Sequence, residues 1–359
     1  MLPQFRIFKP VPQLIFAAGA VRQTPQVLNP LRRKGYVVFI IDHFFKDDET
    51  LFSALSPTDE DLVFFLDTSQ EPTTAEVNRL RDRTLAYSDK LPAVVVGVGG
   101  GSTLDTAKAL AVLLTNPGQA EDYQGWDLVK NPAVYKIGIP TLSGTGAEVS
   151  RTAVLTGPTK KQGINSDFTL FDFVILDPTL LQTVPKLQRF YTGMDCYIHC
   201  VESLSGNFIN EFAAAFASKA LDMCASVFLT GGSDADLMVA SLMGGYSIVY
   251  SEVGLVHALS YGISWAFHIR HGEANCIIFN ELEKYYPAYV YEFRRMLDKQ
   301  QIELKMPQGL SYDAELLGKM ADIVLLMERP LNNALGSNWR KKLPKEAIIE
   351  FYHTLLEKK

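Results

Sequence analysis

The spacing of apolar residues changes near residue 180 of the chain. Before that point, continuous runs of β-branched residues predict parallel strands buried on both faces, and the clearest run is Gly35–Asp42. Charged and apolar residues at helical spacing in Thr74–Lys90 predict a surface helix between strands. Further strands are predicted within Leu62–Asp67, Pro92–Asn116, Ile137–Ser150 and Phe171–Pro178. This alternation is typical of an α/β domain with a parallel sheet.

After that point the pattern becomes helical. Inner helices, apolar on most sides, are predicted at Ala213–Leu229, Ala235–Tyr250 and Gly254–Phe267, and outer helices at Asp313–Glu328 and Pro344–Lys359. We therefore predict two domains: an α/β domain over residues 1–182 and an all-helical domain over residues 183–359.

Composition narrows the function classes. Of the 359 residues 47% are hydrophobic and 21% charged, which is typical of a well-packed enzyme, and the net charge of −6 argues against a nucleic-acid partner. The N-terminus lacks the apolar segment of a signal peptide, so we expect a cytoplasmic protein. Val253–Ile269 has no formally charged residue, but its histidines, glycines and tryptophan favour a buried helix over a membrane span. No membrane partner is expected.

A strand, a glycine turn and a helix start come together in Pro92–Asn116. Free backbone N–H groups and the positive end of a helix dipole bind phosphate at such a turn, and glycine lets a pyrophosphate approach the backbone closely. The match to a dinucleotide fingerprint is partial, so a plain turn between strand and helix stays open. The predicted cofactor contacts are Gly99, Gly100, Gly101, Ser102 and Asp105.

A second loop rich in hydroxyl groups and glycine follows the strand at Ile137. Its side chains can bind phosphate or the nicotinamide amide, although a flexible surface loop is the alternative. Its predicted contacts are Thr141, Leu142, Ser143, Thr145 and Ser150. Asp42 ends an earlier strand and can accept hydrogen bonds from ribose hydroxyls, which favours NAD over NADP. The N-terminal domain is therefore predicted to be Rossmann-like and to bind NAD.

The helical domain contains a candidate metal site. Asp195 and His199 are four residues apart, so a helix presents both side chains on one face. His257 and His271 lie in the same apolar region, and a shared cation would relieve the cost of burying all four groups. This set suits one divalent metal, Fe²⁺ or Zn²⁺, although a lone buried histidine is more often a core residue. His268 is expected near the same helix face as His257, where it can line the cleft.

With these motifs in hand, the chain resembles the iron-containing, or group III, alcohol dehydrogenase family over nearly its whole length. The motifs that carry the resemblance are GGGSTLDTAK from Gly99, PTLSGTGAEVS from Pro140, GMDCYIHCVES from Gly193, GLVHALSY from Gly254, and HG from His271. The resemblance implies metal ligation by Asp195, His199, His257 and His271, NAD(P) at the two loops, a cofactor-side lysine at Lys161, and a homodimer.

Departures from the family bear on the substrate. Tyr261 stands where many members have a second histidine near the nicotinamide, so we place Tyr261 and His268 on the substrate or nicotinamide side. Arg151 and Arg270, with His268, form a candidate anion-recognition set that suits a carboxylated substrate. The sequence is most similar to the branch that oxidises the terminal hydroxyl of 3-deoxy-D-manno-octulosonate, the sugar acid of lipopolysaccharide.

Three alternatives stay open from the sequence. The first is a dehydrogenase for another small alcohol or polyol. The second is a lyase of the dehydroquinate synthase type, although its usual metal set of one glutamate and two histidines differs from this one. The third is a nucleotide-binding sensor without catalysis.

Overall fold

The chain divides into two units at the bond between Val184 and Pro185, two residues beyond the predicted boundary. The structure is a computed structural model that describes residues 9–307 and 309–357. The first unit contains the described strands, and the second consists of helices and their connections. The predicted fold class, a parallel-sheet domain followed by a helical domain, is confirmed.

Six strands of the first unit form one parallel sheet in the order β1-β9-β6-β4-β2-β3. These strands are β1 (Gln13–Phe16), β2 (Val37–Asp42), β3 (Leu62–Leu66), β4 (Val94–Gly99), β6 (Tyr135–Pro140) and β9 (Phe173–Leu176). The five residues Val37 to Ile41 of β2 and all six of β4 are buried, as their unbroken apolar runs predict.

Helices cover both faces of this sheet. They are α1 (Thr24–Arg32), α2 (Glu49–Leu55), α3 (Thr74–Tyr87) and α4 (Gly101–Leu113), with short 3₁₀ turns at Ala20–Gln23, His43–Phe45, Ala120–Tyr123 and Pro178–Leu181. On one face Phe39 and Val96 pack in a core with Leu28 of α1 and Leu55 of α2. On the other, alternate strand residues pack in a core with Leu110 of α4. Side chains that alternate along each strand thus supply two separate cores.

The carboxyl ends of the central strands meet at one edge of the sheet. Asp42 ends β2, and the strand register places Gly99 at the end of β4 opposite Pro140 at the end of β6. From β2 the chain continues to β3 on one side, and from β4 it continues to β6 on the opposite side. Open parallel sheets bind ligands at such a switch point, which here lies between β2 and β4. Both predicted glycine loops therefore start from the edge where a cofactor site is expected.

A smaller sheet of three strands was missed by the sequence analysis. It joins β5 (Gly125–Trp126), β7 (Thr152–Thr156) and β8 (Lys161–Asn165), with β7 and β8 paired antiparallel. These strands are short and mix polar with apolar residues, so their hydrophobic pattern is weak.

Helix α5 (Lys186–Ser205) is the centre of the second unit, because every residue from Phe190 to Ser203 is buried. The helices that pack against it are α6 (Glu211–Thr230), α7 (Asp234–Tyr250), α8 (Leu255–Phe267) and α9 (His271–Asn280). The remaining helices are α10 (Pro287–Gln300), α11 (Ala314–Leu325), α12 (Glu328–Leu335), α13 (Trp339–Lys342) and α14 (Lys345–Glu357). Close approach requires a small residue at Gly193, where an added Cβ would lie 2.5 Å from a ring atom of Phe228.

Helix α6 is long and apolar enough to span a membrane by length and composition alone. Its buried side chains, from Ala213 to Phe228, pack instead with α5, α7 and α10 as a helix of the bundle does. The uncharged segment Val253–Ile269 contains α8, which is 13 residues long and buried along most of its length, as predicted.

One prediction about α8 is wrong. His268 was expected on a continuation of the helix, near the face that carries His257. Helix α8 ends at Phe267, and His268 follows it in a left-handed conformation with φ of 54°. This turn takes the backbone out of the helix, so the helical spacing between His257 and His268 no longer applies.

Candidate metal centre and cofactor loops

Helix α5 presents two of the four predicted metal ligands. Asp195 and His199 are separated by four residues and therefore lie one turn apart on the same face of the helix. Both side chains are almost fully buried in the bundle. A buried carboxylate beside a buried imidazole needs further compensation of its charge, which the neighbouring helices supply.

The other two predicted ligands come from α8 and α9. His257 belongs to the first turn of α8, and His271 is the first residue of α9. Gly272 lets this end of α9 approach α5, because an added Cβ would lie 2.8 Å from the backbone oxygen of Tyr191. The short turn from Phe267 to His271 thus returns the chain to the face of α5 that carries Asp195.

The four side chains converge on one oxygen atom. Asp195 Oδ1 lies 3.7 Å from His199 Nε2, 3.3 Å from His257 Nε2 and 3.7 Å from His271 Nε2. One ligand atom each of Asp195, His257 and His271 lies within 4.8 Å of the others, which is the spacing of a candidate metal site. The structure therefore brings together all four residues that the sequence predicts as ligands.

Glu202 orients His257 through Nδ1, the ring nitrogen that does not face Asp195. Its Oε2 lies 2.5 Å from His257 Nδ1, and its Oε1 accepts a hydrogen bond of 2.5 Å from the backbone N–H of Val256. A carboxylate on Nδ1 holds the ring so that Nε2 faces Asp195, and at metal sites such second-sphere carboxylates orient the nitrogen that binds the ion. Burial favours the neutral imidazole, but Glu202 and Asp195 outweigh it and raise the pKa of His257 to about 9.

The charge of Asp195 is strongly stabilised where it lies. Burial alone would raise the pKa of this carboxyl, yet the imidazoles of His199, His271 and His257 hold its pKa well below the usual range. An ionised carboxylate with three imidazoles is a donor set that binds Fe²⁺ or Zn²⁺. The residues present fit a divalent metal.

Sequence reasoning missed two polar residues of this site. Glu202 follows Asp195 by seven residues, which is two helical turns, and Asn275 follows His271 by four. Both side chains are buried. The helical spacing alone could have identified them, because each lies on the face that carries a predicted ligand.

Two other predicted residues lie close to the ligands in the chain. Tyr261 is one turn after His257, and its ring packs edge-on against His271 with 5.8 Å between ring centroids. Arg270 immediately precedes His271, is exposed, and donates a hydrogen bond to the side-chain oxygen of Gln188. His268 is exposed two residues earlier.

In the first unit, the two predicted loops are in direct contact. The backbone N–H of Thr141 donates to Gly99 O at 3.0 Å. An added Cβ at Gly100 would lie 2.7 Å from Leu142 Cδ1, and one at Gly101 would lie 3.1 Å from Thr145 Cγ2. Larger residues at these glycines would therefore force the loops apart.

Helix α4 begins between these loops without a side-chain cap, because its N-cap residue is Gly100. The hydroxyl oxygens of Thr103 and Ser143 are buried and, within the described residues, have no hydrogen-bond partner. An open helix N-terminus with unused hydroxyl groups beside it fits the pyrophosphate of a dinucleotide. Ser102 lies in the same first turn.

Other predicted cofactor residues already have protein partners. Asp105 accepts hydrogen bonds from Lys108 Nζ at 3.2 Å and from the Val154 N–H at 2.9 Å, and the same lysine donates to Ser150. Asp105, Lys108 and Ser150 therefore tie α4 to the smaller sheet. Burial raises the pKa of Asp105 despite this lysine.

Asp42 and Lys161 also have partners within the first unit. Asp42 accepts hydrogen bonds from the Phe44 N–H and the Thr68 hydroxyl. Lys161 is buried with its Nζ 3.3 Å from Glu71. Direct binding of NAD by either residue stays a prediction.

Arg151 does not belong to a free anion-recognition set. Its guanidinium forms ion pairs with Asp127 and, at 2.9 Å, with Asp167. Two carboxylates therefore already compensate its positive charge, and a contact of Arg151 with the substrate stays a prediction.

Comparison with known proteins identifies the family. Residues 11–178 match the family described as iron-containing alcohol dehydrogenase, and residues 189–332 match the C-terminal family of the Fe-containing alcohol dehydrogenases. Together these matches cover most of the chain. The chain belongs to the iron-containing alcohol dehydrogenase family and is an enzyme.

Several relatives show the range of activities in the family. The chain is 31% identical to long-chain-alcohol dehydrogenase 1 of Geobacillus thermodenitrificans over 264 residues, which are 70% of this chain and 60% of that protein. It is 29% identical to sulfoacetaldehyde reductase of Bilophila wadsworthia, over 74% of this chain and 70% of that protein. It is 32% identical to 4-hydroxybutyrate dehydrogenase of Clostridium kluyveri, over 60% of each chain.

The fold is also that of a solved structure. The crystal structure of sulfoacetaldehyde reductase from Bifidobacterium kashiwanohense in complex with NAD⁺ superposes with a TM-score of 0.79 at 20% identity, covering 99% of this chain and 100% of that chain. The two chains therefore share the architecture of a parallel-sheet domain followed by a helical domain.

Replacing Glu202 with glutamine tests its support of the metal centre. Glu202→Gln keeps an oxygen for the Val256 N–H but removes the charge beside His257 Nδ1. We expect the affinity for a divalent metal to fall about 10- to 100-fold, measured by competition with a chelator. Glu292→Gln is the control, because Glu292 accepts a hydrogen bond of 2.7 Å from Tyr197 and contacts none of the four predicted metal ligands in this way. Equal metal affinity of Glu202→Gln and the unaltered protein would contradict this role.

Replacing Gly99 with alanine tests the cofactor loops. The new Cβ would lie 2.6 Å from Thr103 Cβ, so the first turn of α4 must move. We expect the Kd for NAD to rise about tenfold, or about 1.4 kcal/mol, with metal content unchanged. Binding is measured by calorimetric titration. Gly318→Ala is the control, because an added Cβ there meets nothing within 4 Å. A folded Gly99→Ala protein that binds NAD normally would be evidence against NAD binding by the two loops at the N-terminus of α4.

Proposed function

We propose that this protein catalyses the NAD-linked, metal-dependent interconversion of a primary alcohol and its aldehyde, and that the substrate carries an acidic group. One observation carries the reaction class: three imidazole Nε2 atoms lie 3.3 to 3.7 Å from the buried oxygen Asp195 Oδ1. A divalent ion bound by such a set acts as a Lewis acid toward an alcohol oxygen.

The acidic group is supported by the charge next to the metal ligands. Arg270 is exposed and adjacent in sequence to His271, and the exposed His268 lies two residues earlier. An arginine binds a carboxylate through two parallel hydrogen bonds. The names of two relatives also specify acidic compounds, sulfoacetaldehyde and 4-hydroxybutyrate.

The narrower proposal is 3-deoxy-D-manno-octulosonate, oxidised at its terminal hydroxyl, position 8, in the metabolism of lipopolysaccharide sugars. It is supported by the sequence similarity described above and by the cationic side chain of Arg270. We further propose that the enzyme acts in the cytoplasm as a homodimer, by analogy with the family.

Each residue of the site has a defined task in this reaction. Asp195, His199, His257 and His271 would hold the divalent metal, which would lower the pKa of the substrate hydroxyl, and the loops at Gly99 and Thr141 would hold NAD, which would supply the hydride acceptor. Asp195 holds a negative charge in the bundle, and Glu202 keeps Nε2 of His257 directed toward Asp195. Tyr261 packs against His271 and limits its movement. Arg270 binds the carboxylate and fixes the orientation of the substrate.

A screen of substrates tests the proposed function. Metal-loaded enzyme is assayed with NAD and matched pairs of alcohols, each pair consisting of a carboxylated compound and its neutral analogue, with 3-deoxy-D-manno-octulosonate among the acids. We expect kcat/KM to be at least about tenfold higher for the acids, since a hydrogen bond to a charged group contributes about 1.5 kcal/mol or more. NADH formation is followed by absorbance.

The alternatives give different outcomes in the same screen. A preference for neutral alcohols, as the name of the long-chain-alcohol relative suggests for that protein, would contradict the acidic substrate but not the reaction class. Product formation without net NADH would favour the lyase. Absence of turnover with intact metal and NAD binding would favour the sensor.

Two arginine variants locate the anion contact. Arg270→Gln should raise KM for the acidic substrate about tenfold and leave KM for a neutral alcohol unchanged, because only the ion pair is lost. Arg151→Gln is the matched control, since Asp127 and Asp167 already neutralise that guanidinium. Equal effects on acidic and neutral substrates would remove Arg270 from substrate recognition.

A further inference from the structure

Asn275 is a buried polar residue among the metal ligands that the family resemblance does not assign. It lies on α9, one turn after His271, with no exposed surface. Its Nδ2 lies 2.6 Å from Asp195 Oδ1 and 3.2 Å from the Nε2 atoms of both His257 and His271. The amide therefore touches three of the four groups that converge in the site.

The number of hydrogen-bond donors and acceptors of this amide does not match the groups that surround it. An amide nitrogen has two hydrogens, but three ligand atoms surround Nδ2 at hydrogen-bonding distance. Its oxygen Oδ1 is buried and, among the residues that the structure describes, has no hydrogen-bond partner. A buried acceptor without a partner costs about 1 to 3 kcal/mol. The arrangement is thus unfavourable unless a further group takes part.

A rotation of the amide by 180° exchanges its two ends. Oδ1 would then face the carboxylate of Asp195 and the two imidazole nitrogens, which are themselves electron-pair donors. Such an arrangement is favourable when a positive charge lies among these groups, either a proton on an imidazole or a metal cation, and only a metal cation attracts every one of them at once. The orientation of Asn275 is therefore coupled to the binding of a cation by its neighbours.

We propose that Asn275 directs its amide oxygen toward the bound divalent metal and so adds an oxygen donor to the Asp-His-His-His set. This inference rests on the metal-binding part of the proposed function and is independent of the substrate. A fifth donor has a consequence for metal selection. Zn²⁺ favours four-coordinate tetrahedral sites, and oxygen donors with higher coordination suit Fe²⁺ better.

Selection of this kind is needed because Zn²⁺ binds a given site more tightly than Fe²⁺. A site that holds iron must therefore favour it through geometry and ligand number. In this proposal Asn275 increases the preference of the site for Fe²⁺ over Zn²⁺, and it does so without placing a second carboxylate next to Asp195. An added negative charge there would have to be buried, whereas a neutral amide adds only a dipole.

The test compares metal binding in Asn275→Leu and Asn275→Asp. Leucine has a similar size and no oxygen, and it leaves less room than alanine for a replacing water, whereas aspartate keeps an oxygen. We expect Asn275→Leu to weaken Fe²⁺ binding about tenfold or more and Zn²⁺ binding by less than about threefold. Kd values are measured by anaerobic chelator competition. The visible spectrum of the Co²⁺-substituted protein should intensify in Asn275→Leu, as four-coordinate Co²⁺ absorbs more strongly, and should not intensify in Asn275→Asp.

Controls separate this role from a structural one. Cys276→Ala alters the neighbouring buried residue of α9 and should leave the ratio of the Fe²⁺ and Zn²⁺ Kd values unchanged. Asn275→Val replaces the leucine variant if circular dichroism shows that the latter is unfolded. An unchanged Kd ratio with an unchanged Co²⁺ spectrum overturns the proposal, and so does equal loss of both metals. No alcohol is used, so failure of the substrate proposal does not affect the result.

Discussion

The buried negative charge of Asp195 is the constraint on which the helical unit depends. An isolated ionised carboxylate inside a protein is very unfavourable, so its burial requires opposite charges or strong donors nearby. Here α5, α8 and α9 each bring such groups to the same oxygen, and the lowered pKa of Asp195 reflects their combined effect. The close contact at Gly272 fits this requirement, since it lets the start of α9, which carries His271, approach α5.

Charge balance connects this oxygen to the next layer of residues. Asp195 and Glu202 are two buried carboxylates separated by His257, whose pKa they raise to about 9. One divalent cation with neutral imidazoles would compensate both negative charges, whereas a proton on His257 compensates only one. A bound divalent ion therefore compensates more of the buried negative charge in the bundle than a proton on His257 does. Glu202 therefore contributes to the charge balance of the site although it does not face the ligand atoms.

The parts of this structure that could be predicted from sequence are those that depend on local spacing. The β-branched runs identified the main strands, and the four-residue spacing of Asp195 and His199 identified the metal helix. The hairpin of β7 and β8 was missed because its burial depends on distant contacts, such as that between Val154 and Asp105. For the same reason the ion pairs of Arg151 were missed: its partners lie 24 and 16 residues away in the chain. Spacing cannot show that a charge already has a partner.

The predicted metal ligands and the exposed residues of the turn before α9 differ in how much a substitution changes the stability of the protein. Asp195, His199 and His257 are buried and His271 is partly buried, and removing one partner of a buried ion pair costs about 3 to 5 kcal/mol, so substitutions at these residues also lower the stability of the bundle. Arg270 and His268 are exposed in a turn whose backbone is already outside the helices, where substitutions typically change stability by less than about 0.5 kcal/mol. If Arg270 binds the substrate, as proposed above, substitutions there can change the substrate preference without any change to the metal centre. Exposed positions of this kind can accept the substitutions that different substrates require, such as the compounds named for three relatives of this chain: a long-chain alcohol, sulfoacetaldehyde and 4-hydroxybutyrate.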